Sequence, residues 1–118
     1  MSQLNNPMVL ALKAHLLNPQ GIWQMREDDF TVNGFGNILT FQPRFKLMGE
    51  GGYECEFPYV RVHVMAIEAG DNTVLLHQFE WLPGGELPPG YGAVTTCDVT
   101  TTPCECATFI SEMLSAGD

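Results

Sequence analysis

The sequence predicts an α+β fold: an antiparallel sheet with two helices packed on one face, a two-layer sandwich. Three observations carry this. Residues 59–67 alternate, with Val60, Val62, Val64 and Ala66 on one side and Arg61 and His63 on the other, the period of a half-buried strand. Runs of extended character are separated mostly by hairpin-length, glycine-bearing turns, which join antiparallel neighbours. Two stretches, 8–17 and 73–82, place apolar residues at helical spacing. With 118 residues the chain forms one domain, long enough to bury a core without staples.

The first element is a helix. Asn6-Pro7 supplies a cap followed by proline at the first helical position. Val9, Leu12 and Leu16 make one apolar stripe, joined by Leu10 and Leu17; Lys13 points away and His15 lies on the margin. Asn18-Pro19 ends the run. Gly21 to Met25 reads as a short strand anchored by Trp23, and Arg26 to Asp29 as a charged turn. Phe30 to Val32 continues a hairpin into the glycine-rich loop 33–37. Ile38 to Met48 is extended but broken at Pro43, which cannot donate to a sheet ladder. Gly49 to Gly52 is a turn, and Tyr53, Cys55 and Phe57 alternate beyond it, so Phe45 and Leu47 should face Tyr53 and Cys55. Pro58 then bulges or flips the chain.

The alternating strand comes next and runs into Glu68-Ala-Gly-Asp71. Asp71 or Asn72 is placed to cap a helix, with Val74, Leu75, Gln78, Phe79 and Leu82 at helical intervals and Pro83-Gly84-Gly85 as its stop. Residues 83–92 form a turn-rich loop whose one aromatic is Tyr91, a candidate contact surface. Ala93 to Val99 is a Thr/Val-rich strand, Thr100 to Pro103 a turn, and Cys104 to Ile110 a returning strand that sets Cys97 opposite Cys106 and Val99 opposite Cys104.

Composition narrows the function. Fourteen acids against five bases give a net charge of −9, so the chain is repelled by nucleic-acid backbones and by anionic membranes; direct nucleic-acid binding is disfavoured. Charged residues are 16% of the chain, below the usual quarter, which leaves neutral surface suited to self-association. No run reaches the roughly 20 apolar residues of a membrane span. No secretory leader is visible, so a cytoplasmic location and reduced thiols are expected for Cys55, Cys97, Cys104 and Cys106.

No stretch dictates chemistry. Cys97, Cys104 and Cys106 are spaced C-x6-C-x-C, which is not a zinc knuckle. A metal held by these three with His63 or His77 competes with the simpler reading of small core residues, and with a disulfide between Cys97 and Cys106. His15, His63 and His77 have no nucleophile motif beside them. Glu27-Asp28-Asp29 and Glu54/Glu56 read as solvated acids, and Gly34-x-Gly36 and Gly49-x-Gly51-Gly52 as turns rather than phosphate cradles. Arg44, Lys46 and Arg61 are expected to pair across strands with Glu54 and Glu56, or to form half of a head-to-tail contact. No catalytic, cofactor-binding or metal-binding residue is assigned.

The stretch Tyr59, Val62, Val64, Gly70, Asp71, Leu75, Leu76, Trp81 and Leu82, with the later Cys97-Asp98, resembles the tail completion proteins (R-protein family) of P2-type contractile-tailed phages. The similarity covers about residues 52–82. It departs after Leu82, where a proline- and glycine-rich loop replaces the family's charged continuation. The resemblance implies a non-enzymatic α+β protein, without cofactor, that self-associates as a ring, caps the tail tube and helps join tail to head. Its partners would be copies of itself and other tail or head–tail proteins, first in the cytoplasm of the producing bacterium and then in the virion tail. Net charge alone offers a different expectation, an acidic inhibitor or immunity-type protein that binds a basic partner.

Overall fold

The computed structural model describes residues 6–18, 23–47, 53–56, 59–85, 92 and 94–115. It is an α+β fold, with both helices on one face of an antiparallel sheet. Helix α1 (Pro7–Leu16) is followed by a 3-10 turn (Glu27–Asp29) and strands β1 (Phe30–Val32) and β2 (Ile38–Phe41). Next come β3 (Arg44–Leu47), β4 (Tyr53–Glu56), β5 (Val60–Ala69), β6 (Asn72–Trp81) and β7 (Val94–Thr100). Helix α2 (Pro103–Ser115) is the last described element. The five-stranded sheet has the order β1-β2-β5-β6-β7, and β3-β4 form a separate pair. The expected turn at 49–52, the bulge at Pro58 and Tyr91 lie outside the described residues.

Helix α1 forms as its sequence requires. Asn6 Oδ1 accepts the Met8 N–H at 2.8 Å, Pro7 occupies the first turn, and Val9, Leu12 and Leu16 are fully buried. Leu10 does not join that stripe and stays 45% exposed. Lys13 turns toward the 3-10 segment instead of solvent. It pairs with Glu27, and its Nζ lies 5.9 Å from the centre of the Phe30 ring. Trp23 makes one bridge to Phe45 rather than a strand, and packs edge-on to Phe41. The chain breaks at Gln42-Pro43 as the proline demands. The β3–β4 register then sets Phe45 against Cys55 and Leu47 against Tyr53, as the alternation implied.

Strand β5 is the valine-lined ribbon expected from sequence, with Val60, Val62, Val64 and Ala66 buried. The segment after it is a correction. Residues 73–82 are not a helix; Asn72–Trp81 is a ten-residue strand paired with β5 along its whole length, from Ala69↔Asn72 to Val60↔Trp81. Two residues, Gly70 and Asp71, make the turn. Gly70 has φ 66 and Asp71 is on the negative side, the signs of a type II′ hairpin turn, whose twist matches the flanking strands. Leu75, His77 and Phe79 face inward and are buried, while Leu76, Gln78 and Glu80 face outward. The leucine-rich helix that contributed to the family resemblance is therefore absent, although the strand and its Gly-Asp turn are present.

The chain's C-terminal third holds the second correction. Residues 104–110 do not return as a strand; they belong to α2. Thr102 Oγ1 accepts the Glu105 N–H at 3.1 Å and the Thr102 carbonyl accepts the Cys106 N–H at 3.0 Å. Thr-Pro-Cys-Glu, with its cap, first-turn proline and acid at the third position, is a helix start. Cys106, Ala107, Ile110 and Leu114 form the buried face. Helix α1 lies over β2 and β5, and α2 over β6 and β7, closing one core.

After β6, Pro83-Gly84-Gly85 turns back on Tyr59, whose carbonyl accepts the Leu82 N–H at 2.8 Å. A Cβ at residue 85 would meet the Tyr59 Cβ at 2.5 Å. That atom is fixed to its backbone, so the overlap can be relieved only by shifting a chain segment. Gly85→Ala is therefore expected to lower stability by about 1–3 kcal/mol, read as a lower midpoint in denaturant; an unchanged midpoint would show that the turn does not sit on Tyr59.

Candidate interaction surface

The two faces of the sheet differ sharply. The inner face is covered by both helices. Among the described residues, neither helix packs on the outer face. The register across it creates bands. Ile38 pairs with Met65, Met65 with Leu76 and Leu76 with Val99, an apolar row spanning four strands. Ile67 and its partner Val74 extend this band toward the Gly70 turn. Val99 is 48% exposed and the others are half-buried. A β-bulge makes the row possible: opposite His77, β7 carries one extra residue, which brings both Thr96 and Val99 to the outer side. An open sheet face is ordinarily polar, so an apolar row there is informative.

The next row is polar. Thr40, His63 and Gln78 are consecutive cross-strand partners, and Gln78 Nε2 donates to Thr96 Oγ1 at 3.3 Å. His63 Nδ1 lies 2.9 Å from Thr40 Oγ1, and Nε2 lies 2.9 Å from Glu80 Oε1. Arg61 Nη1 reaches the same carboxylate oxygen at 3.4 Å. The hydrogen bond from His63, with Arg61 adding charge, holds the Glu80 carboxyl below its ordinary range. In the neutral imidazole, Nε2–H donates to Glu80 and Nδ1 accepts from the threonine hydroxyl. Hydroxyl, imidazole and carboxylate in line are the parts of an activated nucleophile. Acyl transfer also needs donors aimed at a developing oxyanion. Thr40 sits mid-strand, where backbone N–H groups are committed to the ladder. This row pins β2, β5 and β6 in register.

Beside it lies a polar recess of about 250 Å³ bounded by Asp28, Asp29, Thr31, Thr40, Arg44 and Arg61. Its lining holds two arginines and two aspartates, so their formal charges cancel and it offers no net positive charge to an anion. Of the expected cross-strand pairs, the β3–β4 register sets Arg44 opposite Glu56 and Lys46 opposite Glu54, while Arg61 pairs with Glu80.

Cys104 and Cys106 do not share one face as a returning strand would have required. Cys104 and Cys106 are two apart on a helix and diverge, the first exposed and the second buried. Burial pushes the Cys106 thiol up to about 12, so it stays protonated. The side chains of Cys55 and Cys97 lie outside the described residues. Among the described residues no cluster of three or more His, Cys, Asp or Glu is placed to hold a metal. His77, expected to be structural or solvated, is fully buried. Its Nε2 is 2.8 Å from Thr100 Oγ1, its ring lies over Phe109 at 4.7 Å, and its Nδ1 has no hydrogen-bond partner among the described residues.

The 33–37 loop, expected from its glycines, carries one more surface feature, an outward Phe35 that sequence reasoning did not single out. Asn33 Oδ1 accepts the N–H groups of Asn37 and Ile38, each at 2.9 Å, and Asn33 Nδ2 donates to Asn37 Oδ1 at 2.8 Å. The Gly36 carbonyl accepts the Asn6 N–H at 2.8 Å, tying the loop to the start of α1. This braced loop holds Phe35 83% exposed. The pattern Asn-Gly-Phe-Gly-Asn was the available signal: turn formers around an aromatic residue with nothing nearby to bury it.

Comparison with family models, with curated proteins and with solved structures finds no match to this chain.

Proposed function

We propose that this chain is a non-enzymatic assembly subunit of the phage tail-completion kind. In this reading copies associate as a ring, cap a tail tube and help join it to the head. The observation that carries an assembly role is the apolar row Ile38–Met65–Leu76–Val99, laid across four strands of a face that neither helix covers among the described residues. Apolar residues in a continuous band favour a protein partner over water; Ile38, Met65 and Leu76 are already half-buried, so each has only part of the roughly 1.5–3 kcal/mol of full burial left to gain. The sequence resemblance supplies the specific identity. It rests on Tyr59, Val62, Val64 and the Gly70-Asp71 turn, without the helix that the sequence spacing predicts after them.

The reading is tested by sedimentation of the purified chain at tens of micromolar. A closed oligomer of defined size is expected. A strict monomer contradicts ring assembly. Normal tails formed by a phage or prophage lacking the gene contradict the tail role even if the chain self-associates.

A further inference from the structure

Phe35 has a counterpart elsewhere on the same chain. An open groove of about 770 Å³ runs between the end of α1 and the start of α2, and its walls include Ala11, Ala14, Leu17, Pro103 and Cys104. Ala11, Ala14 and Cys104 are exposed. Leu10, 45% exposed, lies one turn before Ala14 on the exposed side of α1, away from the buried Val9–Leu12–Leu16 stripe.

We infer that the braced Phe35 loop of one copy seats in the α1–α2 groove of the next, so that the chain associates head to tail. This deepens the assembly reading above and rests on it. Three features point to a second copy as the occupant. The first is reach. The loop is tied to the start of α1, whereas the groove begins at Ala11, halfway along the helix, and runs past its end. Phe35 is 83% exposed in its own chain, so it does not fill its own groove. Different patches on one chain give a heterologous contact, which closes into a ring or propagates as a filament.

The second is charge. Copies that each carry −9 repel, so they can meet closely only where acids are absent. The loop 33–37 has no charged residue, and no Asp, Glu, Lys or Arg lines the groove. The third is preorganisation. The Asn33–Asn37 hydrogen bonds fix the loop before contact, so little ordering entropy opposes insertion, and an aromatic in a pocket is the usual anchor of an interface. One phenylalanine buries about 150–250 Å² against the roughly 800 Å² per partner of a stable pair. A single contact is therefore weak, and closure of the ring completes it.

Native mass spectrometry on four samples tests this: wild type, Phe35→Ser, Ala14→Arg, and an equal mixture of the two variants. Both positions are exposed, and unchanged circular dichroism and thermal midpoints confirm the fold. Wild type should be oligomeric, and each variant at least tenfold weaker in self-association. The mixture should regain a one-to-one dimer, because the Phe35→Ser chain keeps an intact groove and the Ala14→Arg chain an intact knob. Variants that assemble like wild type overturn the knob and groove and leave the assembly reading standing. So does a mixture that shows no one-to-one dimer even at about 1 mM protein, where a contact of millimolar Kd is populated. A monomeric wild type overturns both.

Discussion

Truncating Phe79 to alanine is expected to cost about 3–5 kcal/mol of unfolding free energy, and Leu75→Ala about 2–5 kcal/mol. Phe79 is 1% exposed and Leu75 fully buried, both on the inward face of β6 beneath α2. A cavity at either position borders Val62 or Ala66 on β5, held in place by a ten-residue ladder, so the site cannot collapse freely. Gln78→Ala on the outward face should cost under about 1 kcal/mol, since it loses one exposed hydrogen bond to Thr96. Urea unfolding of the three variants checks this. Comparable losses at 75, 78 and 79 would restore the helical stripe that sequence spacing favoured, in which all three face the core.

That contrast shows why β6 was misread. A strand declares itself by alternation, and two residues spoil it here. Leu76 is apolar but faces outward in the cross-strand row, and His77 is polar but buried. With those two exchanged in character, Val74, Leu75, Gln78 and Phe79 imitate a helical stripe. The remaining clue was turn chemistry: Gly-Asp between two runs of equal length suits a two-residue hairpin as well as a helix cap. Helix α2 was hidden differently. Threonine and cysteine suggested a strand, but Thr102-Pro103-Cys104-Glu105 already held a capping signature. By contrast α1, the Pro43 break, the β3–β4 register and the valine ribbon were legible, because propensity, pattern and punctuation agreed there. The apolar outer row was not legible at all. It exists only once four strands and a bulge are in register.

The second large effect is acid lability centred on His77. Burial lowers its pKa from 6.5 to about 4, with the nearby Asp98 carboxylate partly opposing the shift. The other groups facing it are the Thr100 hydroxyl and the Phe109 ring, and the protonated Cys106 thiol reaches the same hydroxyl. Above pH 6.5 the imidazole is neutral in both folded and unfolded chains and has no effect on pH dependence. As pH falls from 6.5 toward 4 the unfolded chain takes up a proton that the folded chain refuses. Stability drops by about 2 kcal/mol between pH 7 and 5, and by about 3 kcal/mol below pH 4. Glu80, held below its usual carboxylate range, acts in the same direction at lower pH, because its stabilising contribution is lost as it protonates. His77→Leu should remove the loss between pH 7 and 5. Denaturant titrations of both proteins at the two pH values decide it; equal losses would mean that His77 is not the group responsible.

The buried core and the apolar outer row both depend on the β5–β6 ladder, since that pairing decides which side chains face the helices and which face the open side. Proton NMR tests it most directly. Backbone cross-strand contacts are expected that match Val62 to Phe79 and Met65 to Leu76, with Gly70-Asp71 alone between the strands. Contacts between residues three apart along 73–82, with no cross-strand set, would contradict it and remove the outer row with it.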